Sequence, residues 1–445
     1  MAHGALSQSD NTVDPRAASW PARGSALEMV MVHFLPTRMY RQAGSKTLRF
    51  WFLGVVAIMM VGLRATASAQ ERPTIKIVSS LPRTGRATSQ TDAVVNGFHM
   101  ALEEVSYEVA GFPIVYEDFD DATPARGTWD AAAEASNANQ ALNDPDVMVY
   151  LGPFNSGAAS VSIPILNQAE LVMISPSTTY PGLTKPGKGA GSEPDVYYPT
   201  GVRNYARVVP TDDLQGAVGA AWAKRLGAAR VYVLDDTELY GHGIALVFAQ
   251  TARAIGLDVV GGPDGIDGKA NDYRSLALRI QRSNADLVYY GGTTQSNAGK
   301  LWLDLRATMP SVLLMGPDGI LEDAFVQAAG AASEGTFVTF GGRIPPSYTA
   351  AALDWLQRYR DGFGVDPPAY AIYGYEAMRV ALDALQRAAV KERAAIRDAV
   401  FATQGFDGVL GTWSFDACGD TSLTTMTVQK IVGGKFQYVQ ELSAP

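Results

Sequence analysis

Residues 147–184 read VMVYLGPFNSGAASVSIPILNQAELVMISPSTTYPGLT. An apolar run, 147–151, passes through a loop of small polar residues into a helical pattern over 158–170 and then into a second apolar run, 171–175. Short apolar runs bounded by turn residues read as strands buried on both faces. Strand, helix and strand in that order imply parallel strands joined by a helical crossover. The alternation continues outward. Upstream lie TIKIVSS (74–80), the helical pattern DAVVNGFHMALEEV (92–105), FPIVYEDF (112–119) and a second helical pattern, GTWDAAAEASNANQAL (127–142). Downstream, a Gly- and Pro-rich stretch (184–199) reads as a surface loop. The pattern then restarts with a helix at 216–227 and strands at 229–236, 257–262, 285–292, 311–317 and 335–340, with helices between them. Two helical patterns (348–363 and 371–388) and an antiparallel tail with a turn at Gly433-Gly434 close the chain. Two blocks of about four βα units predict an α/β protein of two doubly wound, Rossmann-like lobes.

The N-terminal region reads differently. A basic stretch with Arg41, Lys46 and Arg49 precedes the apolar run 50–63, and Ala67-Ser68-Ala69 offers a small-x-small cleavage site. This is the pattern of a secretory signal peptide cleaved near Ala69. The run is shorter than the roughly 20 residues that a spanning helix needs. Residues 1–38 are an irregular extension in front of it, and a start at Met39 would give an ordinary signal. No Cys follows the run, so no lipid anchor is expected at the cleavage site. The chain carries a net charge of −9, and removing residues 1–69 leaves −13. That balance argues against nucleic acid and against an anionic membrane surface. Cys418 is the sole cysteine, so no internal disulfide and no cysteine metal site is available.

In open α/β sheets, ligands bind beyond the carboxyl ends of strands. In the first block those loops carry Phe154, Asn155 and Ser156, then Ser177, Thr178 and Thr179. The first of them enters a helix whose unpaired N–H groups suit a carboxylate, and the three adjacent hydroxyls are available to the same anion. Capping and turn formation use these residue types as well. The second block offers 235–241 with Asp236 and Tyr240, 291–297 with Thr293, and 316–319 with Asp318. Acids there either meet a ligand ammonium or cap helices, and the aromatics either line a ligand or pack. Enzyme signatures are weak. Beyond residue 69 only His99 and His242 remain, and there is no phosphate-binding loop, nucleophile elbow or complete dinucleotide fingerprint. No cofactor, no metal and no catalysis are expected.

The ordered pieces SSLPRTGRAT, YLGPFNSGAA, MISPSTTYPGLT, YARVVPTDDLQG, VYVLDDTELYGHGIA, ADLVYYGGTTQSNAG, LLMGPDG, SEGTFVT and GTWSFDACGD resemble the type I periplasmic binding proteins, in the leucine/isoleucine/valine-binding branch that serves ABC importers. The resemblance runs from about Thr74 to Val439. It implies two lobes joined by three chain crossings, near Arg207, Thr339 and Leu410. Lobe 1 would then hold 70–207 with 340–409, and lobe 2 would hold 208–339 with 410–445. It further implies a periplasmic protein that captures an amino acid, branched-chain-like, or a related small metabolite, and docks on a membrane permease. A ligand-sensing receptor of the same fold, and a binder of an amide, urea or organic carboxylate, are the alternatives. By the same resemblance the ligand carboxylate meets Asn155, Ser156, Ser177, Thr178 and Thr179, while Tyr240 and Asp318 face it from the second lobe. Two departures stand out. The loop Thr293-Thr294-Gln295-Ser296-Asn297 lacks the branch's acid, so either Asp318 or Asp236 replaces it or the ligand has no ammonium. Gln90 stands where the branch has a first-loop aromatic.

Overall fold

The computed structural model describes residues 73–443, so the signal, the alternative start and the cleavage site read from the sequence lie outside the described residues. The first sheet is built from β1 (Ile75–Leu81), β2 (Phe112–Asp120), β3 (Val147–Leu151), β4 (Val172–Ser175) and β5 (Tyr205–Arg207), in the order β2-β1-β3-β4-β5 and all parallel. A two-residue strand, Glu108–Val109, pairs antiparallel on the β2 edge. Helices α1 (Thr88–Glu104), α2 (Ala131–Asn143) and α3 (Ser156–Asn167) are its crossovers. The chain leaves this sheet after Arg207 and enters α4 (Asp212–Arg225), whose first turn carries Asp212 and Asp213 and whose last turn carries Lys224 and Arg225, signs that suit the helix dipole.

The second sheet contains β6 (Arg230–Asp235), β7 (Asp258–Gly265), β8 (Leu287–Gly291), β9 (Leu313–Gly316) and β10 (Phe337–Phe340), with crossover helices α5 (Leu239–Ala254), α6 (Arg274–Arg282), α7 (Ala298–Thr308) and α8 (Asp323–Ala329). Its order is β7-β6-β8-β9-β10, parallel, extended by the antiparallel pair β11 (Thr425–Val432) and β12 (Lys435–Ser443). Gly433 and Gly434 join that pair at φ +59° and +72°, a left-handed turn that side-chain-bearing residues rarely adopt.

After β10 the chain crosses back. Helix α10 (Ala371–Ala388) packs on α1 through two glycines: a Cβ on Gly97 would sit 2.5 Å from the Tyr375 nitrogen, and one on Gly374 would sit 2.3 Å from the Val94 oxygen. Helix α9 (Ala350–Phe363) precedes it, and α11 (Arg393–Phe401) packs beside β3 and β4. A small hairpin, Phe406–Gly408 with Gly411–Trp413, is held to α10 by the buried Glu376, whose carboxylate accepts from Trp413 Nε1 at 2.7 Å and from the Val409 amide at 3.1 Å. The third crossing follows and delivers the chain to β11.

Two of the three crossings are tied together by a buried ion pair. Arg207 is fully buried, and its Nε donates to Asp420 Oδ1 at 2.6 Å while Nη1 donates to the Tyr180 carbonyl at 2.7 Å and Nη2 to Thr184 Oγ1. Backbone bonds join the same segments, with the Arg207 amide donating to the Gly419 carbonyl at 3.0 Å.

The sequence reading began the second helix at Gly127. The structure begins it at Ala131, because the Asp130 carboxylate accepts from the Ala132 and Ala133 amides and caps the helix there. Thr128–Trp129 instead pairs with Ala122–Thr123 as a short hairpin.

Removing one partner of a buried ion pair leaves the other charge uncompensated, so Asp420→Ala is expected to lower unfolding stability by about 3–5 kcal/mol, read from urea unfolding. Burial pushes the Glu376 carboxyl up to about 7, above its ordinary 4.5. Glu134 on α2, fully buried and accepting from Ser80 Oγ and Tyr150 Oη, is raised for the same reason. Between the two values the folded chain binds more protons than the unfolded one, so stability falls as pH rises through this window. Glu376 contributes about 3 kcal/mol to that loss by pH 8. Urea unfolding at pH 5 and pH 8 measures it, with Glu376→Gln shrinking the difference.

Candidate ligand-binding cleft

The strand-end loops of the two sheets face each other across a narrow cavity of about 50 Å³. One wall begins where β3 ends. Phe154 and Asn155 turn the chain, and Asn155 takes the N-cap position of α3 in extended conformation without using its side chain as a cap. The amides that open a helix have no intrahelical acceptor, and here they belong to Ser156 and Gly157, both of which line the cavity. Ser156 Oγ accepts from the Tyr180 amide at 3.3 Å, and the Ser177 hydroxyl donates to the Phe154 carbonyl at 2.9 Å, which joins the two loops.

The three-hydroxyl expectation is corrected by the geometry. Only Ser177 lines the cavity. Thr178 turns inward and its hydroxyl pairs with Tyr205 Oη, while Thr179 is buried and its carbonyl accepts from the Asp212 amide at 2.9 Å. Ser175 Oγ accepts from the Ser177 and Thr178 amides at 3.2 and 3.0 Å, so the chain turns here and the adjacent hydroxyls do not converge on one anion.

The opposite wall carries Tyr240, Thr293 and Asp318. Tyr240 stands in the first turn of α5, not in the preceding loop, and its hydroxyl donates to Asp318 Oδ1 at 2.8 Å and accepts from the Gly319 amide at 3.1 Å. Gln215 Nε2 reaches the same oxygen at 2.6 Å, and the Tyr370 hydroxyl donates to Oδ2. Burial raises the Asp318 carboxyl and these donors oppose the rise. Asp236, the other acid proposed to replace the missing one, is absent from the cavity wall. It accepts from the Thr293 amide at 3.1 Å and Ser296 Oγ at 2.9 Å, so it shapes the 293–297 loop from behind, and burial pushes it up to about 7. Glu238 lines the cavity and pairs with Arg126 across the cleft at 3.1 Å. Among the described residues, no Lys or Arg lines this cavity.

Tyr370, Gln295 and Trp129 are among the lining residues that the sequence does not single out. Tyr370 comes from the segment just before α10 and stacks edge-on against Phe154, ring centroids 5.4 Å apart. Gln295 lines the cavity, and its carbonyl accepts from Arg86 at 2.6 Å. Trp129 stands over the helix opening, where a Cβ on Gly157 would fall 2.4 Å from its Cζ2. It supplies an aromatic wall from the 122–129 hairpin, while Gln90 also lines the cavity at the position where an aromatic was missing. The Asp130 cap is the sequence signal that frees Trp129 from the helix. His99 stacks edge-on against Tyr116, and His242 pairs with Asp235 at 3.0 Å, so both stand apart from this cavity. Among the described residues no group of three or more His, Cys, Asp or Glu is placed to hold a metal.

The family model described as "Periplasmic binding protein" matches residues 74–435. The chain belongs to the periplasmic binding proteins. Among relatives of this periplasmic binding protein, the Leu/Ile/Val-binding protein homolog 2 of Brucella abortus is 27% identical over 398 residues, covering 88% of this chain and 99% of the relative. The Leu/Ile/Val-binding protein BraC3 of Rhizobium johnstonii is 26% identical, covering 86% and 98%. Among solved structures, the leucine-binding protein LivK of Thermotoga maritima superposes with a TM-score of 0.73 at 23% identity, covering 83% of this chain and 99% of that one. A solute-binding protein from R. palustris in complex with benzoate reaches 0.70 at 17% identity, covering 83% and 97%. The type I fold with two Rossmann-like lobes, expected from the ordered motifs, is the fold of these periplasmic binding proteins.

Overpacking a filled site costs about 1–3 kcal/mol, so Gly157→Ala is expected to lower stability by that amount through the Trp129 ring. In a Trp129→Leu background the same substitution should cost clearly less. A double-mutant cycle read by thermal unfolding checks this coupling.

Proposed function

We propose that this protein is the exported substrate-binding protein of an ABC importer, closing its two lobes on an amino acid and presenting it to a membrane permease. The observation that carries the reading is the pairing across the cleft. The opening of α3, with free amides and the positive end of the helix dipole, faces the buried carboxylate of Asp318, with Ser177 beside the first and Tyr240 beside the second. An α-amino acid carries the complementary charges in the same order, carboxylate toward Asn155 and Ser156, ammonium toward Asp318. The relatives bear names of Leu/Ile/Val-binding proteins, and a substrate-binding protein from Streptococcus pneumoniae with the same fold holds isoleucine. Branched-chain amino acids are therefore the first ligands to test. Closure is supported by contacts that already span the cleft, Arg126 to Glu238 and Arg86 to the Gln295 carbonyl. No helix among the described residues is long and apolar enough to cross a membrane.

A second reading, an aromatic carboxylate, is favoured by one feature. Trp129, Phe154, Tyr240 and Tyr370 all line the cavity, and the 293–297 loop offers no acid for an ammonium.

A thermal-shift panel of leucine, isoleucine, valine, benzoate, acetamide and urea separates the two. A ligand at 100 times its dissociation constant should stabilise the fold by about 2.7 kcal/mol. Under the amino-acid reading, Asp318→Asn weakens leucine at least about tenfold, the loss of a hydrogen bond between charged groups. A shift with benzoate alone, insensitive to Asp318→Asn, would replace the amino-acid reading with the aromatic one.

A further inference from the structure

A second cavity of about 410 Å³ adjoins the first. Gln90, on α1, lines both. Gln295 lines the first, and its Nε2 reaches past the partition to donate to Glu322 Oε1 at 3.1 Å, so the two cavities lie one side chain apart at this point. Glu322 is 8% exposed, and its Oε2 has no hydrogen-bond partner among the described residues. Asp323 beside it enters no ion pair among them. The other charges on this wall are already matched, Arg343 with Glu441 at 3.3 Å and Asp366 with Arg360 at 2.5 Å. The unmatched charge of the second cavity is therefore negative. Its remaining wall mixes the uncharged polar Ser89, Gln90 and Gln429 with an apolar stretch of Ile344, Tyr348 and the prolines at 345, 346, 367 and 368.

We propose that this second cavity is a side-chain compartment of the ligand site, and that Glu322 receives the terminal cation of a long-chain basic amino acid whose α-carbon groups sit in the first cavity. The inference rests on the amino-acid reading of the first cavity. Removing a carboxylate from water without a cation is costly, and burial pushes the Glu322 carboxyl up to about 7. The methylene stem of a lysine- or arginine-like ligand buries along apolar surface while its head reaches a polar partner, and the wall of prolines and Tyr348 suits such a stem. Gln90 and Gln295 form the partition that the stem passes, and the ligand cation takes over the bond that Gln295 gives to Glu322 when that side chain turns aside.

The test is calorimetric titration of the full-length chain, expressed with its own N-terminal region, against L-arginine, L-lysine, their uncharged counterparts L-citrulline and L-norleucine, and L-leucine. We expect arginine or lysine to bind at least about tenfold more tightly than its uncharged counterpart, the size of a charged hydrogen bond. Glu322→Gln should erase that ratio while leaving leucine affinity within about threefold, a difference under one kcal/mol. Ala369→Trp, which fills the compartment, should reject arginine and keep leucine, and it serves if the first variant does not fold. Leucine binding without preference for the cationic ligands, or a preference that survives both variants, overturns the compartment and leaves the amino-acid reading standing. Failure of every amino acid to bind overturns both.

Discussion

The two lobes depend on one buried ion pair placed where the chain passes between them. Arg207 ends β5 and Asp420 precedes β11, so a single guanidinium holds the first and third crossings together. The charges are removed from water at considerable cost, which the ion pair and three further hydrogen bonds from the guanidinium offset. The Tyr180 and Thr178 carbonyls and the Thr184 hydroxyl complete the set. These acceptors lie on the segment that continues from Ser177 at the cleft wall. The chain crossings and one wall of the cavity are thus parts of the same hydrogen-bonded unit.

The cleft follows the same logic at its other wall. Asp318 is held by donors from three places, Gln215 on α4, Tyr240 on α5 and Tyr370 ahead of α10. Tyr370 reaches it from the chain segment that returns to the first sheet, so the acid is fixed by contacts spanning both halves of the molecule. Trp129, wedged against Gly157, fixes the opposing helix opening in a comparable way. Both halves of the proposed ligand contact are preorganised by neighbours that make no charge contact of their own.

Much of this was legible in the sequence because parallel βα alternation writes itself in apolar runs and punctuation. The loops after β3, β4, β6, β8 and β9 were located by that pattern, and Phe154, Asn155, Ser156, Ser177, Tyr240, Thr293, Asp318 and Gln90 do meet at one cavity. What escaped had physical causes. Thr178 and Thr179 share the composition of Ser177 but not its direction, which is set by the turn at Ser175 and by Tyr205. Trp129 was absorbed into a helical pattern that Asp130 truncates. Tyr370, just ahead of α10, and Gln215, on α4, lie in local sequence that carries no mark of the distant acid they serve. Contacts between remote segments are the part of a site that local periodicity does not encode.

The close contact of Gly97 with the backbone around Gly374 bears on biogenesis. The first sheet is complete by Arg207, yet α10, which covers the apolar face of α1, is more than 160 residues further along the chain. In a polypeptide delivered N-terminus first, Val94, Phe98 and their neighbours therefore lack this cover until residues 371–388 emerge. Domains that can fold early during synthesis commonly do so. In this protein the connectivity leaves the α1 face of the first sheet without its cover until α10 has been made.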